Sequence, residues 1–422
     1  MTVPNETAEH RPTLHAAAVV TLCFTFPLIF LGGLVTSHGA GMSVPDWPNS
    51  YGYNMFLFPP SKWVGGIFYE HTHRLLGTVV GFCTIILTSI AWGPARSAIG
   101  RWVIVGVAAV LEVGNAVVTV AMVRFPDAFH LPVDKRAPVD ILPHGLVTAI
   151  GVLLVAGVAW ACRRPEPRVW VRWLATACLA AVCVQGLLGG LRVDLINLPL
   201  AMVHGCFAQA TFCLMVTTAA VTGRAWGKLP AEAGSPVGRV RGLAYLTVGV
   251  VFAQLIVAAV MRHLGAGLAI PDLPLTYGHW LPPTTAEQLA TDNAHRLFDL
   301  GLPRVTMTQV WLHFTHRIGA VVVSATALTL LAAIFTSARR SRSLVNPAIA
   351  LGVLLVTQVT LGLLTVYFRK PADIASSHVA CGALVLATAV LIAVRASRLY
   401  VLRSPAPAVE ATATVPGVLV AV

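Results

Sequence analysis

Charge is scarce in this sequence. Asp, Glu, Lys and Arg make up 11% of its 422 residues, while 56% are hydrophobic; soluble globular proteins carry about a quarter charged residues. A chain so poor in charge cannot cover a soluble surface, which excludes a soluble enzyme. Acidic residues are scarcer than basic ones, and the formal net charge is +12. Yet the basic residues gather in short loops beside apolar runs, as in Arg163, Arg164, Arg168, Arg172 and again in Arg339, Arg340, Arg342. They read as orientation signals at an anionic lipid surface, so no nucleic-acid partner is expected. Paired cysteines are missing too. Cys23, Cys83, Cys162, Cys178, Cys183, Cys206, Cys213 and Cys381 all lie within or at the ends of apolar runs, with no CxxC pair. That pattern excludes a disulfide framework or a thiolate metal site and leaves them as small packing residues. The stretch before Thr13 holds Glu6, Glu9 and Arg11 without an Arg/Ser-rich pattern, so neither a cleaved secretory signal nor a mitochondrial transit peptide is expected.

What the chain does have is apolar runs of about 20 residues, the length a helix needs to cross a bilayer. Ten begin, near Ala16, Gly65, Trp102, Ile141, Trp170, Leu200, Leu243, Gln309, Leu344 and Ser376. The expected fold is therefore all-α, a polytopic membrane protein of about ten transmembrane helices. Placing the N-terminus in the cytoplasm puts the excess of Lys and Arg on the cytoplasmic side. Both termini are then cytoplasmic, and a bacterial inner membrane is the simplest location.

The chain repeats itself. Gly39-Ala40-Gly41, Pro45-Asp46-Trp47-Pro48 and Tyr51-Gly52 return as Gly265-Ala266-Gly267, Pro271-Asp272-Leu273-Pro274 and Tyr277-Gly278, each at an offset of 226. Thr72-His73-Arg74 returns as Thr315-His316-Arg317 at an offset of 243, and the series Gln185, Gly189, Val193, His204 returns as Gln358, Gly362, Val366, His378. Such ordered recurrence marks two homologous four-helix units. The first occupies residues 1–222, the second 242–400, with a cytoplasmic linker at 223–241 and a tail at 401–422. Extra sequence in the first half supplies an inserted helix pair at about 100–165, which leaves the downstream orientation intact.

Four of the fourteen histidines, His73, His204, His316 and His378, fall within the first turns of helices entered from the outer side, two in each half. An imidazole inside lipid costs free energy unless it faces the bundle interior and is paired. Two facing neutral imidazoles suit axial ligation of heme iron, whereas zinc would be left with half its tetrahedral shell. Glu70 precedes His73 by three residues and so shares its helix face; a salt bridge to Arg74 is the alternative role for it. The matching position of the second half holds His313. His71 points elsewhere on the helix. Arg74 and Arg317 read as the only arginines within apolar runs, placed either to meet heme propionates or to snorkel to the interface. Asp46, Trp47, Asp272 and the neighbouring prolines are expected to shape a lid by turn chemistry. In the insert, His144 and Glu112 have no counterparts, and His38, His130, His263, His279 and His295 stay unassigned.

At these motifs the chain resembles the heme A synthase family, membrane enzymes that oxidise a methyl group of heme O to the formyl group of heme A for cytochrome oxidase. The carriers are Gly32-Gly33-Leu34-Val35-Thr36 with the first loop, the block Glu70 through Gly77, and the Gln185 helix leading to His204, together with their second-half equivalents. The resemblance implies that His73 and His204 flank substrate heme O and that Glu70 is the catalytic acid. It implies that His316 and His378 ligate a b-type heme cofactor. Heme O synthase, the cytochrome oxidase assembly machinery and an unidentified electron partner are the implied associates. Two features depart from the family. Many bacterial members have cysteines in the first outer loop, where Val44 stands here, and members usually have eight helices. A diheme electron carrier or heme-delivery factor without catalysis is the competing reading; a transporter would need more intramembrane charge. Cysteine labelling from outside should reach the loops near Asp46 and Asp272 and spare residues near Arg163; strong external labelling at Arg163 would invert the topology.

Overall fold

A computed structural model describes residues 10–93, 165–229, 232–233, 237–338 and 341–401. The expected inserted helix pair, with Glu112, His144 and Cys162, lies outside the described residues, as do residues 402–422. Among the described residues eight helices are long and apolar enough to cross a membrane. They are α1 (Pro12–Ser37), α2 (Gly66–Trp92), α3 (Val169–Asp194), α4 (Leu198–Thr222), α5 (Val237–His263), α7 (Met307–Ser337), α8 (Arg342–Tyr367) and α9 (Ala372–Leu399); a shorter α6 (Ala286–Phe298) sits in the second loop. The chain is thus an all-helical, multi-pass membrane protein. Besides single antiparallel bridges at Ser50–Tyr53 and Thr276–His279, the one strand pairing among the described residues joins Glu232–Ala233 to Tyr400–Val401 in parallel, tying the linker to the end of α9.

Local chemistry accounts for the helix ends. Pro12 opens α1, where a missing N–H costs nothing. Asn197 caps α4 by accepting from Leu200 N–H at 2.9 Å. Thr285 with Gln288 and Thr306 with Gln309 form reciprocal capping boxes on α6 and α7. Within the spans, threonine hydroxyls such as Thr25, Thr211 and Thr247 donate to the carbonyl four residues back, which keeps them satisfied without water.

In the first half α1 packs on α2 and α4, and α3 packs on α2 and α4, closing a four-helix ring; α5, α7, α8 and α9 close the same ring in the second. The halves meet where α9 crosses α1 and α4, and where α4 touches α5. Consequently α9 is the central helix: 61% of its most apolar window is buried, against 33% or less for every other described span. Its inner face carries Ser376, Ala380, Gly382, Ala383 and Ala387, small residues that let helices approach closely where lipid offers no hydrophobic driving force. Phe212 and Ile29 fill against Ala383 and Ala387 across the junction.

Three expectations change. Helices run past the apolar segments that announce them, so α5 begins at Val237 rather than near Leu243. Arg192 lies in the last turn of α3 and Arg262 in that of α5, so Arg74 and Arg317 are not the only intrahelical arginines. And α6 occupies the stretch by which the repeat offset grows from 226 to 243; its capping box was the available signal.

Candidate heme-binding site

The loop after α1 is built from its own turn residues. The Asp46 carboxylate accepts from Tyr51 N–H at 2.7 Å and Gly52 N–H at 2.8 Å, and the Tyr51 hydroxyl donates to the Ser43 carbonyl. The loop after α5 repeats this with Asp272, Tyr277, Gly278 and the Ala269 carbonyl. Burial pushes both tyrosine hydroxyls above the ordinary phenol range, with Asp46 adding to it at Tyr51, so they remain donors. Trp47 is laid over Gly190 of α3, where a Cβ would overlap its ring at 2.3 Å. In the second loop the buried Arg296 of α6 donates to the carbonyls of Pro303, Leu268 and Ala269.

A single guanidinium fastens each loop to the helix below it. Arg74 donates to the carbonyls of Val44 at 2.7 Å and Asn49 at 3.0 Å, and to that of Asp46. Arg317 donates to the equivalent carbonyls of Ile270 at 3.1 Å, Leu275 at 2.9 Å and Asp272 at 2.8 Å. Both arginines therefore hold the lids, with both terminal nitrogens committed to loop carbonyls. Glu70 is buried and completes the first clamp: it accepts from Val44 N–H at 2.9 Å and from Arg74 at 2.8 Å, with Arg192 at 4.0 Å. His313 stands in for it in the second half, its Nδ1 accepting Ile270 N–H at 3.1 Å. His71 is buried against Phe58 and Trp63 and bonds Ser50 Oγ at 3.0 Å, a loop support facing away from His73.

The four histidines come together in pairs inside the rings. His316 and His378 have ring centres 6.4 Å apart. An iron bound at about 2 Å by each of two imidazoles needs ring centres about 6 Å apart, so this pair fits a bis-histidine heme. His73 and His204 also lie within electrostatic range of each other. Among the described residues no cluster of three or more His, Cys, Asp or Glu forms. Glycines make room for the rings. A Cβ at Gly32 would stand 3.1 Å from His73 Cε1, one at Gly189 3.2 Å from His204 Cε1, and one at Gly362 3.1 Å from His378 Cε1. The Gln-x-x-x-Gly spacing thus serves the histidine of the neighbouring helix.

The pairs differ in what orients them. His378 Nδ1 bonds the Gln358 carbonyl at 3.1 Å, and His316 Nδ1 is 2.9 Å from the Gln254 carboxamide. Gln254 fits because Gly319 lies beneath it, where a Cβ would meet its Oε1 at 1.9 Å. At the equivalent positions the first half has Leu28 and Leu76, so His73 has no counterpart of Gln254, and the Leu28 and Gln185 carbonyls face His73 and His204 without a closed hydrogen bond at either Nδ1. A cavity of about 650 Å³ lies elsewhere, beside the second loop and α6, lined by Asp272, His279, Asp292 and His295; it is not the histidine site.

Replacing Arg317 by Leu strands three loop carbonyls, at about 1–3 kcal/mol for each buried one. The variant should retain its helical circular dichroism and become sensitive to protease between Gly265 and Thr284; unchanged protection would show that the clamp does not hold the loop.

Comparison with known proteins agrees with this architecture. The family model described as cytochrome oxidase assembly protein, COX15-CtaA, matches residues 145–390. The heme A synthase of Shewanella oneidensis is 22% identical over 383 residues, which cover 88% of this chain and 93% of that protein. That of Beijerinckia indica is 25% identical over 394 residues, 86% of this chain and 88% of that protein. That of Symbiobacterium thermophilum is 32% identical over 206 residues, 45% of this chain and 64% of that protein. With more than half of its length matched by the family model, and with its repeated bundles carrying paired histidines, the chain belongs to the COX15-CtaA family of cytochrome oxidase assembly proteins.

Proposed function

We propose that the protein is an oxidoreductase of heme A biosynthesis, converting the methyl group of heme O to the formyl group of heme A for cytochrome oxidase. Relatives aligned over most of their length bear the name heme A synthase. The observation that carries the reading to this chain is the histidine pair in each bundle, of which His316 and His378 have the separation of axial heme ligands.

The difference between the pairs supports different tasks. Metal-bound histidines normally have the other ring nitrogen hydrogen-bonded, which fixes the ring. His378 meets it by donating from Nδ1 to the Gln358 carbonyl at 3.1 Å, and His316 is held by the Gln254 amide nitrogen, which lies against both its Nδ1 and its carbonyl, whereas the Leu28 and Gln185 carbonyls face His73 and His204 without a closed bond at either Nδ1. We therefore assign the permanent b-type heme to His316 and His378, where it would supply one-electron exchange with an outside partner. Heme O is assigned to His73 and His204, whose less constrained rings suit a substrate that must enter and leave. The first half, residues 1–222, is then the substrate unit and residues 242–400 the cofactor unit. In this reading the protein lies in a bacterial inner membrane with both termini cytoplasmic, receives heme O from its synthase and passes heme A to oxidase assembly.

Glu70 is proposed as the group that handles a proton near the reacting methyl. It lies one helical turn from His73, and as a carboxylate bound by Arg74 and Val44 N–H it is an acceptor. The competing reading, a diheme carrier or delivery factor, makes Glu70 a loop brace alone.

Purified protein should show a low-spin heme spectrum that disappears in the His316→Ala and His378→Ala variants while the helical content stays; a low-spin heme surviving in the double variant overturns the assignment. Pigments extracted from cells supplied with heme O should include a hydroxylated or formyl product, and heme O alone would leave the carrier reading. Glu70→Gln should keep its heme and lose conversion by about 100-fold or more, the range of a general acid–base contribution, or stop at the alcohol. Wild-type conversion in that variant would reduce Glu70 to the loop brace.

A further inference from the structure

With Arg74 and Arg317 committed to the loops, the remaining cations near the histidines are Arg192 and Arg262. Arg262 uses a single terminal nitrogen, Nη2, to donate to the Gly33 carbonyl and to Ser37 Oγ at 2.6 Å. Its Nη1 and Nε make no hydrogen bond, and it has no carboxylate partner, among the described residues. Arg192 donates from Nη2 to the Gly41 carbonyl at 2.8 Å. Its nearest acid, Glu70, is 4.0 Å away and already bound by Arg74 at 2.8 Å. A guanidinium does not shed its proton, and both side chains are partly buried, Arg192 with 21% of its side chain exposed, so each keeps unspent donors with no carboxylate in direct contact. The shortfall of negative charge at these two positions calls for an anion that the chain itself does not supply.

Their placement identifies the anion. Arg262 lies eight residues beyond Gln254, the residue hydrogen-bonded to His316. Arg192 lies seven residues beyond Gln185, whose carboxamide donates to the His204 carbonyl at 3.3 Å. Each cation therefore stands about two helical turns, roughly 11 Å, towards the loop end from the level of its histidine pair. A heme has the same division, iron at its centre and both carboxylates on one edge. Arg262 acts electrostatically on His378, and Arg192 on His73 and His204. Repeat symmetry did not produce this arrangement: the positions equivalent to Arg192 and Arg262 hold Thr365 and Thr36. Each half has acquired its cation on a different helix.

We propose that Arg262 and Arg192 are carboxylate-binding residues, Arg262 for the propionates of the heme held by His316 and His378 and Arg192 for those of the heme O taken between His73 and His204. This rests on the heme reading given above. Arg262 also links α5 to α1 through Ser37, so the two roles have to be separated.

Three variants of the full-length protein, Arg262→Gln, Arg262→Lys and Ser37→Ala, are purified with their heme. Transfer of the low-spin heme to excess apomyoglobin and its midpoint potential are then measured. A charge-assisted hydrogen bond is worth enough that Arg262→Gln should lose heme about tenfold faster or more. Its potential should fall, because a nearby positive charge favours the ferrous state. Arg262→Lys should recover most of both properties, and Ser37→Ala should match wild type. Wild-type retention and potential in Arg262→Gln, or a Ser37→Ala variant that reproduces the Gln variant, overturns the assignment. Wild-type protein loaded with hemin dimethyl ester provides an arm independent of folding: the ester should leave about tenfold faster than hemin, and equal rates refute carboxylate recognition. Arg192→Gln should raise the KM for heme O with the low-spin potential unchanged; an unchanged KM refutes its part. Absence of any low-spin heme in the wild-type protein would instead refute the heme reading itself.

Discussion

A polar group within hydrocarbon has to find its partner inside the protein, and each half of this molecule meets that demand with one guanidinium beneath one loop. Arg74 and Arg317 satisfy three backbone carbonyls apiece that would otherwise face the interior of the bundle. The loop can then lie on the helix ends instead of extending into water. Asp46 and Asp272 close its turns from within, and Trp47 reaches α3 because Gly190 leaves it space. The lid is consequently fastened to the bundle, and the histidine pairs sit partly buried beneath it.

On this shared scaffold the two halves have been altered at a few contacting positions. The loop N–H that meets Glu70 in the first half meets His313 in the second. Leu28 and Leu76 are matched by Gln254 and Gly319, a coupled exchange in which the larger polar side chain on α5 requires the smaller residue on α7. The outcome is one pair of imidazoles with both Nδ1 atoms within hydrogen-bond distance of Gln254 and the Gln358 carbonyl, and one pair faced more loosely by the Leu28 and Gln185 carbonyls. A more tightly held pair and a looser one, built from the same fold, suit the proposed division between a retained cofactor and a transient substrate.

Much of this was legible in the chain. Hydrophobic length located the eight described spans within a few residues, because lipid demands about 20 apolar residues irrespective of context. Ordered motifs, each block at its own offset, disclosed the repeat, and paired histidines at like depth marked residues that the fold brings near one another. The helix α6 escaped notice because its mixed polarity gives no long apolar run, although Thr285 and Gln288 announce its start. The salt bridge between Glu70 and Arg74 followed from their four-residue spacing, but the Val44 amide that shares Glu70 did not, since it joins residues 26 apart in sequence.

Sequence by itself determined that the chain spans a membrane, that it is two copies of one bundle, and that four histidines recur where a heme could be held. Those properties depend on local length, spacing and repetition. Tertiary structure alone decided which partner each polar group takes: that Arg74 and Arg317 hold loops, that Arg192 and Arg262 stand near the histidines short of negative charge, that Gln254 rests on Gly319, and that α9 joins the halves. These depend on which faces of distant helices meet, and a side chain in lipid bonds whatever neighbour packing brings within reach.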